Sequence, residues 1–223
     1  MEQQYKSLGS LSRSQEELLR SFFAPAPDTL KGLKVESFGT KSDEPVRFFL
    51  YADVLEELFK AARYREEPGL AALLGQFSVD EEGPFLEITA FSDLRYLYED
   101  GVDLVEFFEP TMDSIFSTLI DEEETRHIVG VFVSQPGGNA LLGEEIARLH
   151  LSLFNMPFQL ALVIDGQGNE LGCYARLPGA PFFNAPFYLV KESEADTPEG
   201  EEVEQPLDQD ETNLPKPIEV DDE

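Results

Sequence analysis

Cysteine and basic residues are scarce in this sequence, and each shortage excludes a class of protein. Cys173 is the only cysteine, so no disulfide can form within the chain, which suits a reducing compartment. Sixteen Lys and Arg stand against 45 Asp and Glu, and the formal net charge is −29. Because such a surface repels phosphate groups, we expect neither nucleic acid nor an anionic membrane as a partner. A protein with a basic surface is favoured electrostatically, although the charge could equally serve only solubility.

Long apolar runs and histidine clusters are also missing. No stretch approaches the ~20 apolar residues of a membrane-spanning helix, and the N-terminus lacks the apolar core of a secretion signal. We therefore expect a cytoplasmic protein. His127 and His150 have no Cys, His or Asp at ligand spacing, so we expect neither a metal nor a cofactor. No histidine lies beside Cys173 in sequence, which predicts a buried thiol rather than a nucleophile.

A strand–loop–helix–strand pattern between residues 127 and 165 organises the sequence. Residues 127–134 are β-branched and aromatic, and the Gln-Pro-Gly-Gly-Asn run at residues 135–139 ends this strand. Apolar residues at helical spacing predict an amphipathic helix over residues 143–154. Residues 158–164 are almost wholly apolar, which is typical of a central strand covered on both faces.

The remaining elements follow from the same periodicities. A second helical stripe ends near Ala62, and a third helix is expected from about residue 105 to residue 123. Pro110 falls inside that span, and the alternative is a helix that begins at Pro110 and has this proline in its first turn. The buried stripe expected for this third helix consists of Met112, Ile115, Phe116, Leu119 and Ile120. Strands are expected at residues 46–51, 69–79, 85–91, 171–176 and 187–191, the last of them at the sheet edge. The order predicts an α+β fold with a mixed β-sheet.

Composition divides the chain into three regions. Residues 1–44 form an arm, in which a capping-box pattern predicts a short helix over residues 14–23, followed by a linker. Residues 45–190 form the domain. Residues 191–223 carry 14 Asp and Glu against two Lys, which predicts an acidic disordered tail.

Six apolar side chains outside the predicted core are candidate interface anchors. The arm helix is too short to be stable alone, so its apolar face must dock on the domain or bind a partner. The loop predicted at residues 177–184 is expected to expose a phenylalanine pair. The six candidates are Leu18, Leu19, Phe22, Phe23, Phe182 and Phe183.

The segment from residue 127 to residue 165 resembles the JAB/MPN (JAMM) metallopeptidase family. In that family a V-G-W-Y strand runs into His-Ser-His-Pro-Gly, a Ser and an Asp follow near the start of a helix, and a buried strand ends in V-I-D. The matching parts here are Val-Gly-Val-Phe at residues 129–132, Ser134, Pro-Gly at residues 136–137, Leu-Val-Ile-Asp at residues 162–165, and Tyr174. The resemblance implies a mixed sheet flanked by two long helices and a short helix, with cytidine-deaminase-like layering.

The residues that would carry the family's chemistry are different. The resemblance implies two His and an Asp as zinc ligands, at positions occupied here by Val133, Gln135 and Ile146. Valine and isoleucine have no lone pair, and a glutamine amide is a poor zinc ligand. Without the metal, no side chain here lowers the pKa of water from about 15.7 to near 7. The family's catalytic Glu corresponds to Glu66 or Glu67, and the spacing leaves that choice open.

We therefore expect an inactive JAB/MPN-like pseudoenzyme that works as a scaffold or adaptor subunit. The resemblance implies a homo- or heterodimer formed through the domain helices. One alternative is a module that binds a peptide or ubiquitin-like tail in a vestigial cleft made of Val133, Ser134, Gln135, Gly143 (in place of the family's Ser) and Ile146. The other alternative is a hydrolase that uses a different site, for which the sequence offers no constellation.

Overall fold

The computed structural model describes the larger part of one compact unit, residues 1–193. The described residues are 24–25, 30, 33–39, 46–62, 69–94, 102–121, 125–135, 139–154, 156, 159–165, 170–176 and 181–191. The expected arm helix at residues 14–23, Glu66, Glu67, the breaker residues 136–138 and the acidic tail from residue 192 lie outside them.

Ten strands and three helices are formed by the described residues. The strands are β1 (Ala24–Pro25), β2 (Lys34–Phe38), β3 (Arg47–Tyr51), β4 (Leu70–Asp80), β5 (Gly83–Asp93), β6 (His127–Gln135), β7 (Leu160–Asp165), β8 (Leu171–Arg176), β9 (Phe182–Asn184) and β10 (Phe187–Lys191). The helices are α1 (Ala52–Ala62), α2 (Leu104–Asp121) and α3 (Glu144–Leu153). None of the described helices combines the length and apolarity that a bilayer crossing requires.

All ten strands belong to one mixed sheet, which confirms the predicted α+β class. The strand order is β2-β10-β3-β5-β4-β6-β7-β8-β9, and β1 pairs with one end of β4. Strand β6 runs parallel to β7, and helix α3 connects the two. Strand β7 is buried along its whole length between β6 and β8, as its apolar sequence predicts.

Two apolar layers cover the opposite faces of the central strands. Because successive residues of a strand point to opposite faces, Phe132 packs in the layer beneath α1, whereas Val131 and Val133 pack beneath α2 and α3. Strand β7 alternates in the same way, with Leu162 in the first layer and Val163 in the second. Strands β6 and β7 are therefore covered on both faces.

Strand β10 is not the edge strand that the sequence suggested. It lies between β2 and β3, because residues 34–38, expected to be linker, form strand β2 and pair antiparallel with it. All five residues of β2 are exposed, so the strand lacks the apolar alternation that marks a half-buried strand. Phe38 stacks on Phe187 with ring centroids 5.2 Å apart.

Helix α2 begins at Leu104, which agrees with the expected start near residue 105, and the alternative of a start at Pro110 is wrong. The helix starts where it does because the Asp103 side chain accepts hydrogen bonds from the backbone N–H groups of Val105 (2.8 Å) and Glu106 (3.4 Å). Pro110 lies inside the helix and removes the N–H that would bond to the Glu106 carbonyl. Both residues face solvent, where water can satisfy that carbonyl.

Asp103 also joins α2 to α3. Its second carboxylate oxygen forms an ion pair with the Arg148 guanidinium, which lies on α3. The hydrogen bond from Arg148 holds the pKa of the Asp103 carboxyl below its usual range. The two helices that cover the same face of the sheet are thereby tied together at the start of α2.

Candidate functional site

The predicted cleft lies at the carboxyl ends of β6 and β7. Gln135 and Asp165 are register partners at the last position of this parallel pair. In open α/β sheets, ligands bind in the crevice outside the carboxyl ends of parallel strands. Ser134 and Gln135 lie at the carboxyl end of this parallel pair, and their side chains decide what such a position can do.

Val133 and Ile146, which the resemblance would place at two of three ligand positions, are packed into the core. Each is 4% exposed, and both belong to the apolar layer beneath α2 and α3. Their neighbours in that layer include Leu149 and Val163. Both residues therefore contribute apolar side chains to this core layer, and neither offers a lone pair to a metal.

Gln135 is half-buried and uses its amide to hold the loop that precedes α3. Its Nε2 donates a hydrogen bond to the Leu141 carbonyl oxygen over 3.2 Å. A Cβ added at Gly143 would lie 3.7 Å from the same Nε2, so Gln135, Leu141 and Gly143 are close together. These donors do not fit a zinc ion. Within the described ranges, no three His, Cys, Asp or Glu side chains are grouped so that they could hold a metal.

Ser134 is turned inward and joins two strands. It is 2% exposed, and its Oγ accepts a hydrogen bond of 2.6 Å from the backbone N–H of Gly69. The Ser134 N–H donates in return to the Gly69 carbonyl over 2.8 Å. A Cβ at Gly69 would lie only 2.7 Å from the Ser134 Oγ, so this contact requires glycine. Ser134 is therefore a structural residue of the β4–β6 junction rather than a group that faces a ligand.

Two residues of β8, which the sequence prediction did not include among the site residues, contact the loop before α3. The Tyr174 hydroxyl donates a hydrogen bond to the Ala140 carbonyl over 2.8 Å. A Cβ at Gly172 would meet that same carbonyl oxygen at 2.4 Å, so the loop before α3 lies directly against β8. The signal in the sequence that could have identified these residues is the Gly-x-Tyr spacing of Gly172 and Tyr174, which is part of the family resemblance.

Asp165 is a further buried polar residue at this end of the sheet. Its Oδ1 accepts a hydrogen bond from the Glu170 N–H over 2.9 Å, and its own N–H donates to the Glu170 carbonyl over 3.2 Å. These bonds join the end of β7 to the residue before β8. The last residue of the Val-Ile-Asp ending thus has a demonstrable structural role next to Gln135.

The other groups considered for chemistry lie away from the cleft. Cys173 is buried in the α1 layer, as predicted, and burial raises the pKa of its thiol to about 12. It is therefore a thiol, not a thiolate, near neutral pH. His127 begins β6, at the opposite end from Gln135, and His150 Nε2 lies 3.0 Å from the Gln159 carbonyl.

The predicted interface residues are placed differently from the expectation. Phe182 and Phe183 belong to strand β9 and are half-buried, because Phe182 packs edge-on against the His150 ring at 5.1 Å. The prediction of a loop with an exposed pair is therefore wrong. Leu18, Leu19, Phe22 and Phe23 lie outside the described residues.

The stripe predicted to be buried on α2 is partly exposed. Leu119 is buried, but Phe116 is 54% exposed and Ile120 is 61% exposed. Periodicity placed these residues on one side of the helix, but it could not show that the last turns of α2 extend beyond the apolar layer. The described residues thus include an apolar helix surface that sequence reasoning assigned to the core.

Replacing Gly143 with serine is expected to stabilise the protein by about 1 kcal/mol. Gly143 is the N-cap of α3, with φ −71° and ψ 161°, and no side chain caps the helix there. A serine hydroxyl would accept a hydrogen bond from an N–H of the first turn, and the serine would also reduce the entropy of the unfolded chain. Urea unfolding should show a higher midpoint for Gly143→Ser than for Gly143→Ala. Equal midpoints would show that no cap forms.

No protein-family model and no curated protein matches this sequence. Among solved structures, the chain is similar to the solution structure of protein DSY2949 from Desulfitobacterium hafniense, with 16% sequence identity and a TM-score of 0.45. The similarity covers 67% of this chain and 95% of that one. At that level, neither a family nor a function is transferred to this chain.

Proposed function

We propose that this chain is a catalytically inactive JAB/MPN-like domain that works as a scaffold or adaptor subunit in a protein assembly. The proposal is supported by the side chains at the three positions where the resemblance implies zinc ligands, because none of them is a suitable ligand. Val133 and Ile146 are 4% exposed in a single apolar layer, and the Gln135 amide is hydrogen-bonded to Leu141. The strand–helix–strand framework around these positions follows the order that the resemblance implies.

The argument against catalysis follows from what hydrolysis of an amide requires. A metal-dependent hydrolase needs about three protein ligands that carry lone pairs, with one coordination position left for water. The Val133 and Ile146 side chains supply none, and the Ser134 hydroxyl is bonded to Gly69. A carboxylate at Glu66 or Glu67 would have no activated water to deprotonate. No hydrolytic step is therefore assigned to this cleft.

The argument for assembly rests on the surface. Phe116 and Ile120 are exposed and four residues apart, so they lie on the same side of α2. Aromatic and aliphatic side chains at the centre of a patch with a polar rim are typical of protein interfaces. The net charge of −29 favours a partner whose rim is basic.

Metal analysis of the purified full-length chain tests the proposal. We expect zinc well below one equivalent per chain after growth in zinc-supplemented medium, no cleavage of isopeptide-linked ubiquitin, and a partner complex that survives a chelator. Stoichiometric zinc, together with cleavage that Gln135→Ala abolishes, would overturn the proposal. A chain that binds no partner in extracts of its own cells would contradict the adaptor role while leaving the inactive-fold assignment standing.

A further inference from the structure

A groove of about 280 Å³ lies beside α2 at the rim of the sheet, where the two apolar layers meet. Met112 and Phe116 line it from α2, Phe77 from β4, His127 from β6, and Met156 from the segment before β7. Phe77 and Met156 pack in the layer beneath α1, whereas Met112 packs in the layer beneath α2 and α3. The groove therefore offers an apolar floor with one half-exposed aromatic wall, Phe116.

The register of β1 directs the preceding chain toward this groove. Ala24 pairs with Ser78 and Pro25 with Val79, and the pairing is parallel. Continuing it backwards would place residue 23 beside Phe77, but the same edge of β4 is occupied by β6 from the Gly75–His127 pair onward. The described part of β1 therefore starts at Ala24, next to Phe77 and close to the point where β6 begins at His127. Phe77 and His127 both line the groove.

The sequence that precedes Ala24 has the chemistry that such a groove selects. Leu18, Leu19, Phe22 and Phe23 fall within residues 14–23, which carry a helix-initiating capping box. A ten-residue helix is about 15 Å long. The α2 stripe from Met112 to Ile120 spans about 12 Å at the same rise per residue. The apolar face of the segment and the groove with its adjoining stripe are therefore matched in length.

Charge also favours this pairing. The side chain of Asp113 is exposed on α2 and lines the groove. Residues 14–23 carry Glu16 and Glu17 against Arg20, a net charge of −1 in a chain whose net charge is −29. A segment with so little net charge meets less repulsion from this acidic helix than the acidic tail would meet.

We propose that residues 14–23 dock in this groove of their own chain, with the Leu/Phe face covering Phe116 and Met112. The arm is then an intramolecular strap, which assigns Leu18, Leu19, Phe22 and Phe23 to the domain and not to a partner. Ile120 lies one turn beyond Phe116 and remains available to a partner. The inference is independent of the inactive-domain assignment, because it uses only the groove, the β1 register and the arm sequence. It removes Phe116 from the α2 surface that is offered to a partner above, and it leaves Ile120 as the exposed apolar residue of that surface.

A single tryptophan reports the docking, since the sequence contains none. Phe116→Trp in the full-length chain places the probe at a half-exposed position, where the larger ring can be accommodated. We expect its emission at short wavelength, with protection from iodide quenching. Phe22→Asp in the arm should move the emission to longer wavelength and increase quenching. Ser21→Asp adds the same charge at the neighbouring position on the other side of the predicted helix, and it should leave both readings unchanged.

Three outcomes would overturn the proposal. The first is solvent-exposed emission in the full-length chain that carries Phe116→Trp alone. The second is shielded emission that Phe22→Asp does not alter. The third is shielding that disappears on dilution as a dimer dissociates, which would assign the groove to a second copy. Matching circular dichroism spectra and urea midpoints of Phe116→Trp and wild type establish that the probe leaves the fold intact.

Discussion

Replacing Gly75 with alanine is expected to prevent the native sheet from forming. A Cβ at this position would lie 1.8 Å from the Glu87 carbonyl oxygen and 2.9 Å from the Glu87 carbonyl carbon. Both atoms belong to the backbone of β5, so no side-chain rotation relieves the overlap. Overpacking of a well-packed site costs about 1–3 kcal/mol and more where nothing can move, against a total stability of about 5–15 kcal/mol.

The position of Gly75 in the fold explains why the change should be so damaging. The β4–β5 pairing shifts register between Leu74 and Gly75, and the β4–β6 pairing shifts between Leu73 and Leu74. A β-bulge of this kind brings backbones close together, and glycine in a strand is typical of such a site. Strand β4 carries β5 on one side and β6 on the other, so a displaced β4 would disturb the framework of the cleft.

The matched control is Gly143→Ala, which adds the same methyl group at a position with space. The nearest atom to its Cβ would be Gln135 Nε2 at 3.7 Å, an ordinary van der Waals contact. We expect Gly143→Ala to be soluble with a urea midpoint near wild type, and Gly75→Ala to be insoluble or to lack a cooperative unfolding transition. A Gly75→Ala protein with a wild-type midpoint would show that β4 and β5 do not approach each other this closely.

The central strands and α3 could be predicted from sequence because several local signals agreed. Residues 127–134, 143–154 and 158–164 were expected, and β6, α3 and β7 span His127–Gln135, Glu144–Leu153 and Leu160–Asp165. β-Branched and aromatic composition indicated β6, helical spacing indicated α3, a nearly continuous apolar run indicated β7, and breaker residues indicated the end of β6. Burial on both faces left the β7 sequence nearly free of polar residues, so this strand was also recognisable as central.

The edge strand β2 and the exposure of α2 could not be predicted, because both depend on contacts between residues that are distant in sequence. Strand β2 is fully exposed, and its partner β10 begins at Phe187. The exposure of Phe116 depends on how far α2 projects beyond the layer beneath it, which helical spacing does not encode. Among the predicted cleft residues, the burial of Val133 and Ile146 agrees with their apolar character, whereas the hydrogen bond from the Gly69 N–H to Ser134 joins residues 65 positions apart, which local patterns do not reveal.

Protein stability is expected to fall by about 3 kcal/mol as the pH drops from about 6.5 to about 4, because His150 is buried in its neutral form. The pKa of His150 is lowered to about 4, chiefly by burial and to a smaller extent by the charge of Arg176, while the hydrogen bond to the Gln159 carbonyl acts in the opposite direction. His150 Nε2 bonds to that carbonyl, and among the described residues Nδ1 has no hydrogen-bond partner. Protonation would create a second buried N–H without an acceptor.

The sign of this effect follows from proton binding. Between pH 4 and pH 6.5 the unfolded chain holds a proton on the imidazole, with an ordinary pKa near 6.5, and the folded chain does not. Stability therefore rises with pH across this window, is fully present above it, and is lost as the pH falls toward 4. Glu87 works against this trend, since burial raises the pKa of its carboxyl and makes folding favour its protonated form.

His150→Gln separates the imidazole from the other titrating groups. The glutamine amide can still donate to the Gln159 carbonyl, but it does not titrate, so the difference between the two pH profiles belongs to His150. Urea unfolding from pH 4 to pH 8 should show wild type losing stability faster than His150→Gln below pH 6.5, with parallel profiles above it. The His150 ring contacts Phe154 of the α3 end and Phe182 of β9. Parallel profiles over the whole pH range would therefore mean that water reaches the ring and that β9 does not cover it.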